Sequence, residues 1–210
     1  MNWLENVVIR NKEIENERVE LTNKGSLYFL GPNLIVRNCT LVCKIPGRQL
    51  SFDSVRFVDC TFDVKQELKN HQSWVATSLK GCRFKGKFTG CDFGHWPEYS
   101  SLPGDQHGFI EDCDFSEARM DGCRIMGCDP ATIRFPKWPC FTLLDPIGHA
   151  AELRGARWPD LFKRVIIDDL HDDPPQTRSI TYHAPSVAKF LNTTEEALRA
   201  VIETFDCFVY

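Results

Sequence analysis

The sequence has no long apolar run. Nowhere do apolar residues approach the roughly 18 in succession that a membrane-spanning helix needs. Its start, MNWLENVVIRNKEIENERVE, has no basic stretch leading into an apolar one, so no secretory signal is visible. A cytoplasmic protein without membrane contact is expected. Positive charge is not in excess: 25 Lys and Arg face 29 Asp and Glu, for a net charge of −4. That balance argues against nucleic acid as a partner and suits a basic protein partner instead. Chemistry-bearing motifs are also missing. There is no glycine-rich phosphate loop, no Ser-centred elbow and no C-x-x-C. Cys39-x3-Cys43 and Cys123-x4-Cys128 have no His at finger spacing, so no metal is expected. A nucleophilic Cys would need a His beside it. The six histidines are scattered, and only His95 and His107 share a loop across whose base they could meet. No catalytic residue and no cofactor is expected, and the chain reads as a non-enzyme.

What the sequence does have is a period of five. Gly108–Gly127 reads GFIED, CDFSE, ARMDG, CRIMG. Gly108, Cys113, Ala118 and Cys123 put a small residue first in each five, and Ile110, Phe115, Met120 and Ile125 put a bulky apolar one third. Neither a helix of period 3.6 nor a strand of period 2 produces this. A chain that turns a corner every five residues does, with one small and one large side chain inward per side. Four sides make a coil of about 20 residues, and stacked coils pair as parallel strands about 4.8 Å apart. The pattern is legible from Leu34, through Leu34/Val36, Cys39/Leu41, Val55/Phe57, Cys60/Phe62, Thr77/Leu79, Cys82/Phe84 and Cys91/Phe93. Two registers are open. In one, Cys39, Cys60 and Cys82 are followed by Cys91 to Cys113 as a further coil of 22 residues. In the other, Cys82/Cys91 and Cys113/Cys123 are equivalent pairs, and residues 94–107 carry an insertion. Most of the ten cysteines fall in the small inward slot, where Cys acts as a compact hydrophobe. Reduced thiols are expected rather than a disulfide framework.

The flanks differ. Residues 1–33, with short β runs at Val7–Ile9, Val19–Leu21 and Leu27–Leu30, read as an N-terminal cap or first coil. Residues 34–130 are the coiled part, with 94–107 (GHWPEYSSLPGDQH) a projecting loop rich in Gly, Pro and Ser. Pro130 ends the fives. Residues 131–210 form a C-terminal region packed on the stack. It holds a strand at Phe141–Leu144, a helical turn at Ala150–Gly155 and a helix over Asp160–Leu170 with Leu161, Phe162, Val165 and Ile166 on one face. A helix from Pro185 to Asn192 follows, with Val187, Phe190 and Leu191 apolar. A last helix opens with a Thr193/Glu196 capping box and carries Leu198, Val201 and Ile202. Helix-turn-helix spacing over Val187–Ile202 lacks the basic face a groove reader needs.

The fives resemble the pentapeptide-repeat family, most clearly at Cys91-Asp92-Phe93 and Cys113-Asp114-Phe115 and more loosely at Ala118-Arg119-Met120 and Cys123-Arg124-Ile125. The resemblance covers about residues 34–130 and implies a mainly β chain built as a right-handed parallel β-helix, here with an irregular α-helical C-terminal region. Some members of the family look like DNA and bind topoisomerases. They are long, uninterrupted and strongly acidic, unlike this chain. Others resemble small immunity proteins that neutralise bacterial toxins, and a protein of that kind, bound to a cognate toxin domain, is the leading expectation. A topoisomerase-binding DNA mimic and a β-helix enzyme acting on carbohydrate are the alternatives; the enzyme would use Asp92 and Asp114 in one register on neighbouring coils. Candidate partner-binding residues are Trp96, Glu98, Tyr99 and Asp105 in the loop and Asp168, Asp169, Asp172 and Asp173 near a helix end. Carboxylates are disfavoured at a helix C-terminus, which suggests a basic partner for them.

Overall fold

In a computed structural model, residues 4–99 and 108–210 are described. The first coil is β1 (Glu5–Ile9), β2 (Lys12–Glu15) and β3 (Arg18–Leu21). The second is β4 (Ser26–Leu30), β5 (Leu34–Arg37) and β6 (Thr40–Cys43). The third holds β7 (Leu50–Phe52), β8 (Val55–Val58), β9 (Thr61–Val64) and β10 (Leu68–Lys69). The fourth holds β11 (Thr77–Lys80), β12 (Arg83–Thr89) and β13 (Asp92–Gly94). The fifth holds β14 (Phe109–Glu111), β15 (Asp114–Asp121) and β16 (Cys123–Met126). All pairings among these strands are parallel, giving a β-solenoid. Coiling thus starts at Glu5, ahead of the clean fives, because Ile14, Val19 and Leu21 already fill inward positions.

Each side stacks like on like. Ile14, Val36, Phe57, Leu79 and Ile110 are in register on one side. Val19, Leu41, Phe62 and Phe84 are in register on the next. Pairing of Arg83 with Asp114 and of Asp92 with Arg124 chooses between the two cysteine registers. Cys82 aligns with Cys113 and Cys91 with Cys123, so residues 94–107 carry an insertion and Cys91 to Cys113 is not a coil. The same pairing puts Asp92 and Asp114 on different sides of the stack. They do not share a register, and the paired-carboxylate arrangement expected for a carbohydrate enzyme is not formed.

The corners explain the cysteines. Asn38, Asp59, Gly81, Gly90, Asp112 and Gly122 each take positive φ and each immediately precedes a cysteine. Asn, Asp and Gly tolerate this left-handed conformation best. The thiol that follows donates back to the corner: Cys60 Sγ lies 3.3 Å from the Val58 and Val36 carbonyls, and Cys113 Sγ 3.3 Å from that of Glu111. Alanine would fill the slot but satisfy no carbonyl. All ten cysteines are buried and free. Hydrogen bonding to Cys113 and Cys60, together with burial, raises the Cys82 thiol far above its ordinary range. Gly86, inside β12, has φ +105°, and a Cβ there would sit 2.0 Å from the Val64 carbonyl oxygen, so the turn needs glycine.

Aromatic rings fill the lumen. Phe84 stacks on Phe62 at 4.9 Å and on Phe115 at 4.2 Å, with interplanar angles of 9° and 5°. Trp74 stacks on Phe93 at 5.3 Å. Past Pro130 the fives end, but Arg134 still pairs with the Cys113 carbonyl and the Phe115 amide, and Ile133 and Phe135 close the core.

The C-terminal region is joined to the stack by a sheet as well as by helices. β17 (Cys140–Leu144), β18 (Thr177–His183) and β19 (Phe208–Val209) are antiparallel, and β18 pairs with β16, so the side formed by β13 and β16 continues into them. On the face toward the stack, Thr142 and Thr181 hydroxyls meet at 2.9 Å and Cys140 Sγ reaches the Met120 carbonyl. The opposite face carries Phe141, Leu143 and Ile180 into a second core. Covering that core are α1 (Pro146–Arg154), the short α2 (Asp160–Phe162), α3 (Ala184–Phe190) and α4 (Glu195–Ile202).

Three expectations for this region change. The helical turn at Ala150–Gly155 is the end of the longer α1, capped by Asp145, whose carboxylate accepts from the Gly148 amide. The cap of α4 is Thr194, which accepts from the Ala197 amide at 3.1 Å, rather than Thr193. The helix expected over Asp160–Leu170 is α2 followed by a π-helical turn at Lys163–Ile167 and a 3-10 turn at Leu170–Asp172. The wider turn puts Phe162 and Ile167, five apart, on the buried side and leaves Leu161 and Val165 outside.

Candidate functional site

Two surface features emerge where the solenoid meets the C-terminal region. The first gathers part of the expected site around a residue the sequence did not single out for the site, Arg124. Strand β16 turns its guanidinium outward beside β13, where Nε and Nη2 donate to Asp92 Oδ1 and Oδ2 at 2.6 and 2.9 Å. Its Nη1 donates to Asp173 at 3.1 Å, and its carbon Cζ lies 5.0 Å from the centre of the Trp96 ring. Trp96 packs in turn on Tyr99 at 5.0 Å, and Gln176 Nε2 donates to Glu98 at 2.7 Å. The base of the loop and the acidic segment are therefore held together.

The electrostatics follow from burial. The Asp92 side chain is only 3 % exposed. Its hydrogen bonds raise the pKa of Arg124 further above an already high value. Asp173 is pushed above the usual carboxylate range, chiefly by burial and against the pull of Arg124. A cleft of about 230 Å³ opens beside the cluster, walled by Gln72, Asp92, Arg124, Asp173 and Tyr182. The guanidinium, shared by two carboxylates, is a tie rather than a free anion binder.

Of the other expected residues, Asp169 and Asp172 are exposed and Asp168 is half-buried. The Asp172 carboxylate pairs with its neighbour His171, at 3.3 Å. Asp105, like His107, lies outside the described residues. Among the described residues no group of three His, Cys, Asp or Glu could hold a metal ion, and no helix is long and apolar enough to cross a membrane.

The second feature is apolar. Phe190 at the end of α3 is 78 % exposed, and Val165 in the π turn and Leu161 in α2 are 47 % and 44 % exposed. Between the π turn and α3, against the solenoid corners at Thr89–Gly90 and Asp121–Gly122, lies a groove of about 400 Å³ whose apolar lining is Val165, Ile166, Val187, Phe190 and Leu191, with Tyr182. Helical periodicity placed Val165 and Phe190 on core-facing stripes. The π turn and the end of α3 at Leu191 leave them outside. A run of five apolar residues in seven, Leu161 to Ile167, too many for one stripe of a short helix, was the available signal.

One buried group stands apart. His71 occupies the slot that Cys91 and Cys123 fill in the later coils, after the left-handed Asn70. Its ring packs on Phe52 and Trp74 at 5.4 and 5.5 Å, and Nε2 has no hydrogen-bond partner. Burial lowers its pKa from 6.5 to about 4, against the pull of the Gly47 carbonyl. In the unfolded chain His71 takes up a proton below about pH 6.5, whereas in the fold it resists until about pH 4. The unfolded state then binds more protons, so stability is full above pH 6.5 and falls as pH drops toward 4. Denaturant titrations at pH 7 and pH 5 are expected to show about 2 kcal/mol more acid loss for the wild type than for His71→Leu. Equal losses would contradict this assignment.

No protein-family model matches the chain, and no curated protein matches it.

Proposed function

We propose that this chain is a non-catalytic protein-binding module, and more narrowly an immunity protein of pentapeptide-repeat type that occludes a cognate bacterial toxin. The observation that carries this reading is the groove with the exposed Val165 and Phe190 in its wall. Contiguous apolar surface of this kind is costly to leave in water and marks interaction sites. An aromatic side chain beside a groove is a typical energetic anchor. The solenoid supplies a rigid base, and β18, β17 and the Arg124 cluster fasten the groove-bearing region to it.

The test uses the product of the neighbouring gene. Mixed with this protein, it is expected to form a stoichiometric complex on size-exclusion chromatography, and co-expression is expected to rescue growth from its toxicity. Phe190→Asp is expected to weaken the complex by two orders of magnitude or more, corresponding to about 3 kcal/mol for a buried aromatic anchor. Phe190 is exposed, so the substitution leaves the fold intact. Absence of a complex with the wild-type protein would overturn the proposal.

A further inference from the structure

A second cleft shares no lining residue with the groove and has a different chemistry. It measures about 370 Å³ and runs between the corner at Gly47–Gln49 of the second coil and the 3-10 turn at Gln72–Ala76 of the third, with Tyr99 at its mouth. Its volume falls in the range of small-molecule sites. Both walls are fixed. Gln49 Nε2 donates to the Lys24 and Ser26 carbonyls at 2.8 and 2.9 Å, which pins the first corner to the coil beneath. A Cβ on Gly47 would stand 3.3 Å from Cβ of His71, so the glycine lets the two turns close on one another. Gln72 Nε2 is held by the Gly90 carbonyl.

The lining is selective in charge. Arg48 is its one ionic group, and no carboxylate lines it, in a protein whose carboxylates outnumber its cations. Arg48 forms no ion pair among the described residues. Ser51, Ser73 and Asn70 add hydroxyl and amide groups, and Phe52, His71 and Tyr99 add aromatic rings. His71 lies 4 % exposed in the floor with Nε2 unpartnered, and Gln72 Oε1 is likewise buried without a partner. A planar guanidinium suits a carboxylate through two parallel hydrogen bonds, and aromatic walls suit a flat ring. We propose that this cleft binds a small aromatic carboxylate, its anionic group on Arg48 and its ring against Tyr99.

The site is independent of the apolar groove, so its test does not require the protein partner. Isothermal titration of the full chain with indole-3-carboxylate is expected to saturate with a Kd of several hundred micromolar, about 0.4 kcal/mol per non-hydrogen atom. The uncharged indole-3-carboxamide is expected to bind roughly tenfold more weakly. Arg48→Gln is expected to weaken the carboxylate roughly tenfold and leave the amide unchanged, and Tyr99→Ala to weaken both. Both side chains are exposed, so the variants fold. No saturable heat for the wild type up to about 10 mM, or equal binding by Arg48→Gln, would overturn the proposal.

Discussion

Replacing Phe84 by alanine is expected to lower the unfolding free energy by about 3–5 kcal/mol and the Tm by roughly 10 °C. Phe84 is fully buried and is the middle ring of the stack from Phe62 to Phe115. It also touches Trp74, Phe88 and Phe93, at 5.8, 5.8 and 5.7 Å. The loss combines transfer of the ring with a cavity that neighbours fill poorly, because Phe62, Phe88, Phe93 and Phe115 belong to paired strands and are themselves fully buried. Phe84→Leu keeps most of the volume and is expected to cost less than half as much. Denaturant unfolding of the two variants checks the claim. Equal, small losses would mean that the lumen is loosely packed.

The second large effect belongs to Arg124. Arg124→Met removes the one cation paired with Asp92 among the described residues, and the Asp92 side chain is 3 % exposed. Leaving a buried carboxylate uncompensated is expected to cost about 3–5 kcal/mol. Arg124→Met combined with Asp92→Asn removes both charges and is expected to recover a large part of that loss, because the cost lies in the orphaned carboxylate more than in the lost attraction. If the double variant is no more stable than the single one, the ion pair is not what holds β13 and β16 together at this corner. Trp96 rests on the same guanidinium, so the single variant is also expected to speed amide exchange at residues 95–99.

How far these features were legible in the sequence follows from their physical origin. Coils are local: each five carries its own small and large residue and its own corner, so the ladders from Val36 to Leu79 and from Cys39 to Cys82 could be read directly. The insertion could not be placed, because 22 residues separate both Cys60 from Cys82 and Cys91 from Cys113. Only strand pairing tells a coil from a coincidence. Strand β18 was passed over, although Thr177, Ile180, Thr181 and Tyr182 are good strand residues, since its partner β16 lies some 50 positions earlier. The role of Arg124 was hidden for the same reason: Asp92 and Asp173 are 32 and 49 residues away. The apolar groove was masked by periodicity. A π turn has no distinct signature in an apolar run, and Val165 and Phe190 look like core until the turn is known.

The central claim is that binding belongs to the groove beside Phe190, with the solenoid as a fixed base. Hydrogen–deuterium exchange of the protein, alone and in complex with its neighbouring gene product, tests it most directly. The expected result is protection of residues 160–167 and 184–191, with the coils unchanged apart from the corners at 89–90 and 121–122 that line the groove. Protection confined to residues 95–99 and 168–173, with the groove exchanging as in the free protein, would contradict it.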